Sequence, residues 1–282
     1  MAAPPAVIEQ RQPSSQDPAS FAVVFEEVAI AFEDKPVLDG ISFRLNKGET
    51  KAIFGVAGAG KSTILKLALG LVRPDSGHIY VLGEDVTAMG EEELFDLRRK
   101  VGMVFQESAL FDSLTVRENV AFRLLEEGTV SEQEVERPVR ESLSFVELEN
   151  TVDMFPSELS GGMRRRVAIA RAIITHPEIL LYDSPTGGLD PVTSTTIIEL
   201  VVKQRDVYKT SSLLVTHRLQ DAFMMATHYF DRKSNHMQPL PPGMKGEVPM
   251  GFLILRDGKI IFDGDVHELA HSKDEYIREY IS

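Results

Sequence analysis

Gly55-Val56-Ala57-Gly58-Ala59-Gly60-Lys61-Ser62 satisfies the pattern G-x-x-x-x-G-K-[ST] without exception. These residue types suit a polyphosphate. Gly55, Gly58 and Gly60, with the small Ala59 between them, let the backbone curl until successive N–H groups converge on phosphate oxygens. Lys61 supplies a mobile cation for the β- and γ-phosphates, and the Ser62 hydroxyl can ligate Mg²⁺, with Thr63 next to it. A flexible glycine turn before a helix is the plainer reading. Motif and context nevertheless agree, because an apolar strand precedes the loop and a helix, whose N-terminus favours an anion, follows it.

The elements that must hold this loop can be read from the pattern around it. Residues 1–20 are rich in Pro, Ala, Gln and Ser and read as a disordered lead-in. From 21 onward the pattern predicts strands at 21–32, 41–45 and 50–54, a helix over 62–71, a strand at 77–82 and a helix near 91–99. Between about 107 and 177 the strand signal disappears, and Val135, Val139, Leu143 and Val146 recur at helical spacing, with Pro138 starting or kinking a helix. Sheet character returns at 179–182 and 212–216. Asp190-Pro191 supplies a cap and a first-turn proline for a helix to about 207. Residues 232–250 read as a surface loop, and Asp257-Gly258 as the turn of a hairpin over 253–262. The expected fold is α/β: a mixed sheet core with an antiparallel β subdomain and an inserted helical subdomain, as one cassette over 21–282.

Composition narrows the partners. A net charge of −13 argues against nucleic acid, whose phosphates need clustered Lys and Arg. The absence of cysteine excludes disulfides and thiolate metal sites. No apolar run reaches the length of about 18 residues that spans a bilayer. The expectation is a soluble, cytosolic chain that meets a membrane only through a partner or its own surface. Arg164-Arg165-Arg166 can be read as an anion site or as a solvated helix face, and the run favours the solvated face.

The phosphate loop alone does not separate a transporter motor from a GTPase or a kinase. Leu159-Ser160-Gly161-Gly162-Met163, about 100 residues further on, resembles the L-S-G-G-x signature of the ABC ATPases. The resemblance implies a homodimer in which Ser160, Gly161 and Gly162 of one copy cover the γ-phosphate of ATP held by the other. It also implies that Gln106 reaches Mg²⁺ or the attacking water, that Asp183 holds Mg²⁺ together with Ser62, and that Asp190 crosses the dimer interface. His217 would sense the γ-phosphate, and Phe32 would stack on adenine. The stretch 102–116 and residues 156–166, with Met163 after S-G-G and Tyr182 before the aspartate, are similar to the ATPases of Mla/Mce-type lipid transporters. That resemblance implies a polytopic permease and a substrate-binding protein with an MCE domain as partners. It places the chain on the cytoplasmic face of the inner membrane, with residues 107–114 in the groove for the permease. It covers 21 to the C-terminus except 232–250.

One position departs from the family. Where it reads D-E-P-T, this chain reads Asp183-Ser184-Pro185-Thr186. Serine is no base near neutral pH, and loss of a general base typically costs roughly 100- to 10,000-fold in rate. Three readings stay open. Hydrolysis is slow, with His217 and Gln106 placing the water at the Ser184 site. A nearby group or partner supplies the missing function. Or the subunit is a nucleotide-gated clamp. The first is favoured.

Overall fold

The computed structural model describes residues 17–281, apart from 127, 129, 132, 133 and 242–247. Most of the expected disordered lead-in, residues 1–16, therefore lies outside the described residues. In chain order the elements are β1 (Phe21–Phe32), β2 (Lys35–Asn46), β3 (Thr50–Gly55), α1 (Lys61–Ala68), β4 (Ser76–Val81), β5 (Glu84–Asp85), α2 (Glu91–Arg99), β6 (Val101–Val104), α3 (Val116–Glu126), α4 (Glu136–Phe145) and α5 (Gly161–Ile173). There follow β7 (Ile179–Asp183), α6 (Pro191–Tyr208), β8 (Ser211–Val215), α7 (Leu219–Thr227), β9 (His228–Asp231), β10 (His236–Pro239), β11 (Met250–Arg256), β12 (Lys259–Gly264), α8 (Val266–Ala270) and α9 (Glu275–Ile281).

Two larger sheets result. One has the order β12-β11-β3-β8-β7-β6, parallel from β11 to β6 and closed by the antiparallel strand β12. The other, antiparallel throughout, runs β2-β1-β4-β5. Strands β3 and β8 are buried at every position, and their apolar stretches 52–54 and 213–215 fit a sheet covered on both faces. Their alternation sorts the core in two. Ala52, Phe54, Leu180, Tyr182 and Leu214 pack with α5, α6 and α7; Ile53, Ile179, Leu181, Leu213 and Val215 pack with α1, α2 and the antiparallel sheet.

The helices start where local chemistry predicts. Asp190 caps α6, accepting from the N–H groups of Val192 and Thr193 at 3.0 Å, with Pro191 at the first helical position. Thr115 and Glu118 cap α3 reciprocally. Pro138 falls in the first turn of α4 and does not kink it. Within 232–250, read from sequence as a surface loop, β10 pairs antiparallel with β9 in a hairpin lying against α6. The Glu199 carboxylate on α6 accepts from Met237 N–H at 2.6 Å.

Candidate nucleotide site

Strand register decides what meets at the sheet edge. Ile53, Val215 and Asp183 lie side by side on β3, β8 and β7, and Val104 lies beside Tyr182 on β6 and β7. The chain therefore leaves four parallel strands at one carboxyl edge, with Gly55, His217, Ser184 and Gln106 each within two residues of the strand ends. Ligands of open α/β sheets bind at this edge. Two hydrogen bonds extend it: Ser184 N–H donates to Val215 O at 2.9 Å, and Thr216 N–H to Ile53 O at 3.2 Å.

The phosphate loop leaves β3 and turns into α1. Gly58 and Gly60 hold φ of +79° and +92°, in the left-handed region that glycine adopts at no steric cost. A Cβ at Gly60 would lie 2.7 Å from Leu38 Cδ2, whereas one at Gly58 would meet nothing within 4 Å. The loop is thus packed behind and open in front. The N-terminus of α1 has no side-chain cap, so its first-turn N–H groups are left for an anion. Lys61 Nζ donates to the carbonyl oxygens of Gly55 and Val56, both at 2.8 Å. Burial pushes the Lys61 ammonium down from the usual lysine range, and the field of Asp183 partly restores it. Asp183, the last residue of β7, lies at the same sheet edge from which the loop leaves β3. The Ser62 hydroxyl, the Asp183 carboxylate and the Gln106 amide oxygen are all hard oxygen donors, the kind that Mg²⁺ takes. Bound there, Mg²⁺ would neutralise charge on the β- and γ-phosphate oxygens.

Ser184 is 8% exposed, with φ of +48°. It opens a turn closed by Gly187 N–H donating to Ser184 O at 2.9 Å. A Cβ built on Gly187 would sit 3.5 Å from Ser184 Cβ and 3.8 Å from Gln106 Cγ, so the structure brings Ser184 and Gln106 together. His217 is exposed just ahead of α7, four residues before Asp221. Sequence patterns did not single out Asp221, although its position four after His217 is the available signal. It is 4% exposed and accepts from Thr186 Oγ1 at 2.5 Å. Burial raises its carboxyl above the usual range, against the Thr186 hydrogen bond and the fields of Arg218 and His217. Tyr280 of α9 was also missed. Its hydroxyl accepts from Gly55 N–H at 3.4 Å, and its ring meets Phe54 edge-on. Phe32 is 46% exposed at the end of β1 and is no core residue.

Ser160 caps α5 by accepting from Met163 N–H at 3.2 Å, and it is exposed, as are Gly161 and Asp190. Gly162 has a role the motif does not state. A Cβ there would overlap the Thr193 Cγ2 methyl, so it lets the first turns of α5 and α6 touch. The three arginines depart from expectation. Arg165 is 6% exposed, and the neighbours are half-buried. Arg164 donates to Leu159 O at 2.6 Å, Arg165 to Phe105 O at 2.9 Å and Gly187 O at 3.2 Å, and Arg166 to Val146 O at 3.0 Å. Neither a solvated face nor an anion site, they are spent on main-chain carbonyls, because each side chain folds back over a subdomain the sequence cannot display.

The family model described as ABC transporter matches residues 38–187. Protein TRIGALACTOSYLDIACYLGLYCEROL 3, chloroplastic, of Arabidopsis thaliana is 38% identical over 90% of this chain and 71% of its own length. The intermembrane phospholipid transport system ATP-binding protein MlaF of Haemophilus influenzae is 30% identical over 88% of this chain and 85% of its own. The methionine import ATP-binding protein MetN of Carboxydothermus hydrogenoformans is 39% identical over 70% of this chain and 59% of its own. Among solved structures, the dimeric ATP-binding cassette MJ0796 bound to ADP and Pi superposes with a TM-score of 0.71 at 28% identity, over 86% of this chain and 98% of that one. The chain therefore belongs to the ABC transporter family, as an ATP-binding subunit with the P-loop ATPase fold that binds ATP with Mg²⁺ and hydrolyses it.

Proposed function

We propose that this subunit powers lipid transport through a membrane permease, working as a homodimer. The observation that carries the motor reading is the convergence of Lys61, Asp183, Gln106 and His217 at one carboxyl edge. In the dimer, Lys61 of one copy and Ser160 of its twin flank the same terminal phosphate, and Asp190 stands at the two-fold interface. Phe32 stacks on adenine; Gly55, Gly58, Ala59, Gly60, Ser62 and Thr63 enclose the phosphates; Ser62, Asp183 and Gln106 hold Mg²⁺. Closure moves the helical segment 107–177, and loss of γ-phosphate contacts reopens it. With serine at 184, His217 and Gln106 place the water and turnover is slow.

Lipid as cargo is supported by the phospholipid-system protein and the chloroplast protein, which align over 88% and 90% of this chain and 85% and 71% of their own lengths. The segment assigned to the permease, residues 107–114, is pinned by a buried Asn119, which accepts from Phe111 N–H and donates to the carbonyls of Phe111, Leu114 and Thr115. Phe111 is 43% exposed there. The partners are then a polytopic permease and an MCE-domain protein, with this subunit at the cytoplasmic face of the inner membrane. Among the described residues no helix is long and apolar enough to cross a membrane. Solubilising the native complex, identifying its subunits and weighing its bound lipid tests the assignment. An MCE-domain protein with ATP-driven lipid transfer between vesicles is expected. A complex that moves methionine, or carries no lipid, would sink it.

A further inference from the structure

Arg165 is a buried cation satisfied almost wholly by main chain. Among the described residues no carboxylate pairs with it directly; Glu107 acts on it only at longer range. Its Nε has no hydrogen-bond partner, and its two terminal nitrogens donate to carbonyls far away in sequence. A guanidinium taken out of water costs several kcal/mol unless its donors are used, so a cation kept here points to work for those two bonds. The bonds end at informative places. Phe105 O belongs to the peptide that leads into Gln106. Gly187 O ends the turn opened by Ser184. On the same helix, Arg171 donates to Ala109 O at 2.7 Å and Ser108 O at 2.8 Å, fixing the segment beyond Gln106, where Ala109 and Ser108 both have positive φ. Ser160 caps that helix at its other end.

We propose that Arg165 is a positioning residue for hydrolysis: it ties the signature helix α5 to Gln106 and to the Ser184–Gly187 turn, so that a tilt of α5 resets both together. The planar fork is what allows one side chain to hold two carbonyls from two loops; a lysine ammonium is a point charge without that geometry. In the dimer, α5 presents Ser160 to the partner's nucleotide while Gln106 attends its own, so Arg165 lies between the two sites. It hydrogen-bonds neither the phosphate loop nor the Mg²⁺ donors. Its loss therefore falls chiefly on turnover, while nucleotide affinity stays set by the phosphate loop, Ser62 and Asp183.

The test uses the full-length chain with Mg²⁺, measuring γ-phosphate release under single-turnover conditions and binding of a fluorescent ATP analogue. Arg165→Met keeps the stem and removes the fork. Its rate is expected to fall on the order of 10- to 100-fold, the scale of a misplaced reacting group, with the analogue's Kd held within about twofold. Arg165→Lys is expected to fall between the two. Arg166→Met, which frees the carbonyls of Val146 and Glu147, is the control for simple loss of stability; it should lower Tm and leave the rate near wild type. Hydrogen exchange provides a readout independent of turnover. In Arg165→Met the segments 105–110 and 184–188 should both exchange faster with Mg-ATP bound, and in Arg166→Met neither should. Equal rates in wild type and Arg165→Met, rates that simply follow Tm in both variants, or unchanged exchange in both segments would each overturn the proposal. If Arg165→Met does not fold, Arg165→Lys carries the same comparison.

Discussion

On the proposed reading Ser184 stands where a carboxylate would polarise water, and its surroundings show what a carboxylate would meet. A Cβ on Gly187 would lie 3.5 Å from Ser184 Cβ and 3.8 Å from Gln106 Cγ, so a glutamate at 184 would stand close to the Gln106 stem at the carboxyl edge of the sheet. Ser184→Glu is expected to raise turnover in the assembled complex, up to the roughly 100- to 10,000-fold a general base supplies. Phosphate release measured against a Lys61→Ala control checks it; unchanged or lower turnover counts against the slow-hydrolysis reading. Asp221 leads to a second expectation, on stability. Burial places its folded pKa above the unfolded value. Such a group favours the folded state fully below the unfolded carboxylate pKa of about 4, and that contribution is lost as pH rises through the folded value. Asp221→Asn keeps an acceptor for Thr186 and deletes the ionisation, while Arg218 keeps its 2.7 Å hydrogen bond to Ser194. Its Tm should equal or exceed wild type at neutral pH, and the advantage should vanish toward pH 4. A neutral-pH Tm clearly below wild type would show that the ion pair between Arg218 Nε and Asp221 Oδ1, at 3.5 Å, outweighs burial.

Among the elements, the close contact between α5 and α6 at Gly162 is readily tested. Gly162→Ala drives a methyl into Thr193 Cγ2, and overpacking of this kind typically costs about 1–3 kcal/mol. Gly161→Ala has its nearest neighbour at 3.8 Å and should cost less in Tm. Thr193→Ser removes the clashing methyl and keeps the hydroxyl that donates to Asp190 at 2.5 Å, so Gly162→Ala with Thr193→Ser should regain most of the lost Tm. Additive losses in the double variant would move the clash elsewhere. This contact also marks where sequence reading ends. The phosphate loop was legible because strand, glycines and helix start are contiguous, and α6 because Asp190-Pro191 is a local signal. Gly162 looked like one more phosphate-facing glycine, since the motif records its type and not that Thr193, 31 positions on, stands behind it. The arginine run looked solvated for the same reason: helical periodicity places side chains around an axis but cannot say which loops return over them. Likewise β10 was hidden in a segment whose Pro, Gly and Lys content masks a short pairing with β9.

At the scale of the molecule, net charge opposes formation of the proposed homodimer. The chain carries −13, and closing two copies around ATP adds further anionic groups between them. In that dimer Mg²⁺, Lys61 and the α1 N-terminus would offset the charge locally, over a few ångströms. The like-charge repulsion between whole protomers acts over longer distances, where added salt screens it: the Debye length shrinks from about 30 Å at 0.01 M to about 8 Å at 0.15 M. Contacts inside a closed site are screened much less, because water is excluded from them. The ATP-dependent dimer should therefore become more populated between low and physiological salt. A nucleic-acid binder would behave oppositely, since its association weakens steeply over the same range. Sedimentation of the full-length chain with saturating Mg-ATP at several KCl concentrations reads this directly, with Lys61→Ala as the variant expected to stay monomeric throughout. A wild-type dimer that dissociates as KCl rises would mean that attraction between oppositely charged patches across the interface outweighs the net acidic repulsion.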